Sequence, residues 1–125
     1  MWDWGDLSTD ARHAAQVLFR AGHPRSCVSR AYFAAYCALV SRLPSGVPLP
    51  RGRRNPPHNQ LLRLVRHEPA FGPSQSDRRA LRTDLHYLRE LRNSADYRPG
   101  MSLTQAEARN ALSVCHAICR RMGCV

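Results

Sequence analysis

A chain of 125 residues is the size of one domain, able to bury about two-thirds of the surface its unfolded form exposes without a disulfide or metal staple. Nineteen basic against nine acidic side chains give a formal charge of +10, which favours an anionic partner, nucleic acid first, because clustered guanidiniums bind phosphates with release of condensed counterions. The five cysteines are odd in number and three of them, Cys115, Cys119 and Cys124, crowd the C-terminal end in apolar company, which argues against a secreted disulfide framework; with no basic-then-apolar leader and no run of roughly 20 apolar residues, a cytoplasmic protein without membrane contact is expected.

Strand-like alternation is absent and apolar residues recur at three- and four-residue spacing, so the expected class is all-α. The first helix is expected to open at the Ser8-Thr9-Asp10 cap and to turn Ala11, Ala14, Ala15, Leu18 and Phe19 inward before Gly22 stops it. The second opens near Pro24, and its stripe of Val28, Ala31, Tyr32, Ala35, Tyr36, Leu39 and Leu43 predicts the central helix. Residues 44–57 are rich in proline and glycine and contain Arg51, Arg53 and Arg54, an exposed basic loop.

A short third helix is expected from about His58 to His67, with Leu61, Leu62, Leu64 and Val65 as its apolar content and His58 as its cap. The fourth opens at Ser74 or Ser76, with Leu81, Leu85, Leu88, Leu91 and Ala95 on one face and Arg78, Arg79, Arg82, Arg89 and Arg92 over much of the rest. Pro99-Gly100 breaks it, and Ser102-Leu103-Thr104-Gln105 reads as a capping box for a last helix carrying Ala111, Val114, Cys115, Ile118 and Met122. The expectation is five helices around one core, a single domain over residues 1–125.

Most enzyme classes drop out, because nucleotide-binding glycine loops and paired carboxylates are missing and no Ser-His-Asp or Cys-His set can be assigned from spacing. Cys115 and Cys119 share a helix face beside His116, yet no fourth ligand has suitable spacing, so these thiols read as core and neither metal nor cofactor is expected. What remains is the polar segment from Leu91 to Gly100 at the end of the fourth helix. Arg92 there has two readings, an ion pair with Asp96 four residues on, or an anion ligand. Arg109 and His116, seven residues apart on the last helix, form a second arginine–histidine pair, and His86 lies beside Arg82 and Arg89. Tyr32 and Tyr36 sit amid alanines at helical spacing and read as core.

The order of these pieces resembles the HEPN superfamily, helical proteins that cut or bind RNA. The family signature is an arginine, a polar residue, a short spacer and a histidine ahead of the last long helix, and Arg92-Asn93 matches its first half. One branch also has an aromatic-rich second helix, like Ser29 to Tyr36 here, a histidine opening the third helix, like His58, and a terminal Ala-Asp-Tyr, like Ala95-Asp96-Tyr97. The resemblance implies a five-helix up-and-down bundle, a homodimer with both motifs facing one cleft, and metal-free RNA cleavage in which arginine holds the scissile phosphate while histidine assists attack by the ribose 2′-hydroxyl. It places Arg92, Asn93, Asp96 and Tyr97 at the catalytic position, with Arg82, Arg89 and Arg92 as RNA-binding residues. The chain departs from the pattern where the histidine would fall, because position 97 is tyrosine, and a phenol of pKa about 10 is a poor general base at neutral pH. Tyr97 is therefore open to a role as hydrogen-bond or proton donor, or as a core or interface aromatic. A bacterial toxin–antitoxin or defence setting follows by resemblance, as does the alternative of a non-catalytic subunit docking on a nucleotidyltransferase-type antitoxin or joining a larger nucleic-acid complex.

Overall fold

A computed structural model describes residues 1–125 as five α-helices: α1 (Trp4–Arg20), α2 (Pro24–Val40), α3 (His58–His67), α4 (Gln75–Tyr97) and α5 (Gln105–Arg121). A single 3-10 turn, Pro69–Phe71, joins α3 to α4, and there is no strand. The all-helical expectation holds element by element, and α3 occupies the residues its pattern predicts.

Two helix starts differ from expectation for local reasons. α1 begins before Ser8, because Asp3 and Asp6 form a reciprocal capping box on each other's backbone N–H groups. Ser8 is instead fully buried, its hydroxyl donating to the Ala34 carbonyl at 2.8 Å where α1 lies against α2. At the other end of the chain the capping box is Thr104 with Glu107, two residues beyond the expected Ser102–Gln105 pair. A carboxylate accepts more strongly than an amide oxygen, and half-buried Leu103 just ahead of the cap packs on the core, which fixes where the chain turns inward.

α2 is the central helix, packed against α1, α4 and α5. Ala31, Ala34, Ala35 and Ala38 are fully buried on it, and these small side chains let neighbouring backbones approach on several sides. The three fully buried leucines Leu81, Leu85 and Leu88 line the inner face of α4, while Ala108, Ala111, Cys115 and Ile118 do so on α5. The α1–α2 turn closes through a Schellman arrangement, with Gly22 N–H donating to Phe19 and His23 N–H to Leu18, and it requires the left-handed backbone that Gly22 supplies at φ 79°. No helix is long and apolar enough to cross a membrane.

Candidate nucleic-acid interface

Where α2 faces α4, two tyrosines keep their rings in the core and turn their hydroxyls to a cavity of about 190 Å³. Its walls are Tyr32, Phe33 and Tyr36 from α2, residues 53 and 55–57 of the basic loop, His58 at the start of α3, and Arg89 and Arg92 from α4. The expectation that Tyr32 and Tyr36 belong to the core therefore holds for their rings, at 7% exposure each, while their polar ends build the cavity.

The Tyr36 hydroxyl donates to the Pro56 carbonyl at 2.6 Å and accepts from Asn55 Nδ2 at 2.7 Å, which pins the loop to α2. The Tyr32 hydroxyl sits 3.0 Å from His58 Nδ1 and accepts from an Arg89 terminal nitrogen at 3.3 Å. Because Arg89 can only donate, the Tyr32 proton is free to point at His58 Nδ1, which leaves the imidazole proton on Nε2. That Nε2 has no partner in the protein. His58 is not the α3 cap; Pro57 holds that position, and the ring is buried against Tyr32. Burial, then the positive charges of Arg89, His86 and Arg92, holds the His58 pKa down at about 4, so the ring is neutral at physiological pH. Burial also raises Tyr32, against the opposing hydrogen bond and charge of Arg89, so it stays a neutral phenol.

Arg92 pairs with Asp96 through Nε at 3.0 Å, and Asp96 in turn accepts from Ser29 Oγ at 3.1 Å. The guanidinium lies 5.7 Å from the Tyr32 ring centroid and 5.3 Å from that of Tyr97. The ion pair expected of Arg92 is therefore present, held through Nε, and the side chain also lines the cavity. Asn93 accepts from Arg89 Nε at 3.3 Å, which orients that guanidinium towards Tyr32. Tyr97 is 67% exposed, so it is a surface aromatic of this chain and not a core one.

Arg82 does not share this cavity; it lines a separate cleft with Arg66, Gln75 and Arg79. Arg109 stacks over Phe19 of α1, 5.6 Å from its centroid, and with His116 lies outside the Arg92 cavity. Sulfurs of Cys115 and Cys119 lie 4.0 Å apart in the core beside Ser8, and no group of three or more metal-ligating side chains comes together anywhere in the chain.

One positioning residue gave no signal in the sequence. Arg25, in the first turn of α2, extends its guanidinium under the end of α4, donating to the carbonyls of Ser94 and Ala95 at 3.0 Å each and also to those of Arg98, Pro99 and Met101. It satisfies the last carbonyls of the helix that carries Arg92, Asn93 and Asp96, and a cation there is favoured by the helix dipole. Its partners are about 70 residues away, beyond any local pattern.

The bundle is all-helical, and its cleft gathers two arginines, a buried neutral histidine and two aromatic hydroxyls. The HEPN domain family matches residues 1–124, and the chain belongs to it. No curated protein and no solved structure matches the chain.

Proposed function

We propose that this HEPN protein acts on RNA in the cytoplasm, with the Arg92 cavity as the place where a phosphodiester is held. The observation that carries this is the convergence of Arg89 and Arg92 with His58 on one cavity whose lining contains no carboxylate. Arg92 clamps the phosphate with the edge of its fork that Asp96 leaves free, Arg89 supplies the second cation, and Asn93 orients Arg89. Arg82 contributes backbone affinity from further along α4. In the catalytic form of this reading, the ribose 2′-hydroxyl attacks phosphorus and gives its proton to water as the bond to the 5′-oxygen breaks, Tyr97 beside Arg92 protonates that departing oxygen, and the reaction needs no metal. A homodimer brings two such sites together, and the setting is a bacterial toxin–antitoxin or defence system.

The exposed Tyr97, standing where the family signature has histidine, favours a second reading: a non-catalytic subunit that binds RNA or docks on a nucleotidyltransferase-type antitoxin or a larger defence complex. One experiment separates the two. Purified protein and its Arg92→Ala variant are incubated with mixed RNA in EDTA and any new ends are sequenced. Arg92-dependent cleavage leaving 2′,3′-cyclic phosphates supports the ribonuclease; intact RNA that is bound by the wild type and released by the variant supports the binding role; no binding and no cleavage overturns both RNA roles.

A further inference from the structure

α4 carries Gln75, Arg79, Arg82, His86, Arg89 and Asn93 at alternating spacings of four and three residues, which puts them in one row along about 27 Å of helix. The Arg92 cavity occupies only the C-terminal end of that row. At the other end lies a cleft of about 150 Å³ lined by Arg66, Gln75, Arg79 and Arg82, without a single apolar or acidic side chain.

The three guanidiniums of this cleft make no ion pair and no hydrogen bond within the protein; the two ion pairs of the structure are His86–Glu90 and Arg92–Asp96. Arg78 is different, although it is their neighbour. Its Nε donates to the Arg66 carbonyl at 3.1 Å and a terminal nitrogen donates to the Gly72 carbonyl at 2.8 Å. That clamp ties the end of α3 to the first turns of α4 and so holds Arg66 opposite Arg79 and Arg82. Like charges held in one cleft without a counter-charge repel one another, and the missing charge is what a phosphate brings.

We propose that this cleft is a second phosphate subsite, which holds the backbone of the same RNA strand that Arg92 engages. The inference rests on the RNA-binding role of the Arg92 cavity. Ten residues of helix separate Arg82 from Arg92, about 15 Å, or about four nucleotides of a stacked strand. His86 stands between the two sites, its ring 6.2 Å from that of His58. The strand runs along α4, with its polarity set at the Arg92 end and its affinity shared between the two.

The test measures binding of labelled oligouridylates, one a dinucleotide and one of about eight nucleotides, long enough to span both sites. The proteins are wild type, Arg66→Gln/Arg79→Gln and Arg92→Gln, with helical content checked for each. The expected pattern is that the double variant loses about tenfold affinity for the long strand, keeps its affinity for the dinucleotide, and has a salt dependence shallower by about 0.7 for each phosphate it no longer neutralises. Arg92→Gln weakens both lengths. Wild-type affinity of the double variant for the long strand, alongside weakened binding by Arg92→Gln, overturns the second subsite and leaves the Arg92 site standing. Failure of the wild type to bind either strand removes the RNA reading and this inference with it. An acidic peptide such as polyaspartate binding the wild type in place of RNA, and released by the double variant, assigns the cleft to a protein partner and also overturns the proposal.

Discussion

Replacing Arg25 with alanine should cost the fold far more than replacing Arg92, although both are arginines near the C-terminal end of α4. Arg25 donates to five carbonyls around the end of α4, and two of those bonds, to Ser94 and Ala95, are shielded from water. Hydrogen bonds from a charged donor contribute about 1.5–3 kcal/mol where buried and little where exposed. Two partly buried bonds plus a favourable dipole contact of about 0.5 kcal/mol place the destabilisation near 2 to 3 kcal/mol, after allowing for water that enters to satisfy the freed carbonyls. Arg92 is held on the helix surface by the ion pair to Asp96 and by cation–π contacts with Tyr32 and Tyr97, together about 1 kcal/mol. Urea denaturation followed by helical circular dichroism measures both. Arg25→Ala should lower the midpoint by about 1 M or more at a typical slope of 1–3 kcal/mol per M, and Arg92→Ala by less than about half as much. Equal destabilisation by the two variants, or a change below about 0.5 kcal/mol for Arg25→Ala, would refute the assignment of Arg25 as the clamp of the α4 end.

Arg92→Ala should weaken RNA binding, and abolish any cleavage, with the fold nearly intact; retention of RNA at wild-type affinity in a filter-binding assay would remove Arg92 from the site. Tyr97→His should raise metal-independent cleavage, read as release from a quenched RNA substrate, if the site is a degenerate catalytic one, and no gain in a folded variant argues that the cavity has lost catalytic geometry. His58 binds its proton near 6.5 in the unfolded chain but only near 4 in the fold, so between those values the unfolded state holds more protons. The stability His58 confers is therefore full above pH 6.5 and is lost as pH falls towards 4, amounting to about 2 kcal/mol between pH 7 and pH 5. His58→Gln should flatten the denaturation midpoint over that range, whereas an unchanged pH profile would show that the imidazole is not held neutral.

Local chemistry made much of this architecture visible in the sequence. Pro24 at the start of α2, Ser74 ahead of α4, the Leu81–Leu85–Leu88 stripe and the limits of α3 follow from rules that act within a few residues, and the structure keeps them. The two displaced helix starts fail for a reason that is also local: Ser8 and Thr9, and Ser102 and Gln105, are adequate caps, but Asp3–Asp6 and Thr104–Glu107 are reciprocal pairs with carboxylate acceptors and prevail.

The site divides differently. Arg92 with Asp96, and Arg89 with Asn93, are four residues apart on one helix, and their pairing could be read from spacing alone. Tyr32 against His58, Asn55 against Tyr36 and Arg25 beneath the end of α4 join residues 19 to 76 positions apart, and only the packing of α2 against α4 and of the basic loop against α2 brings them together. The same packing decided that Arg78 became a clamp while Arg79 and Arg82 were left without partners. Composition established that the chain is basic; which guanidiniums are consumed in holding the fold, and which remain without a partner, is set by where α3 ends relative to α4, because a hydrogen bond depends on position in space and not on order in the chain.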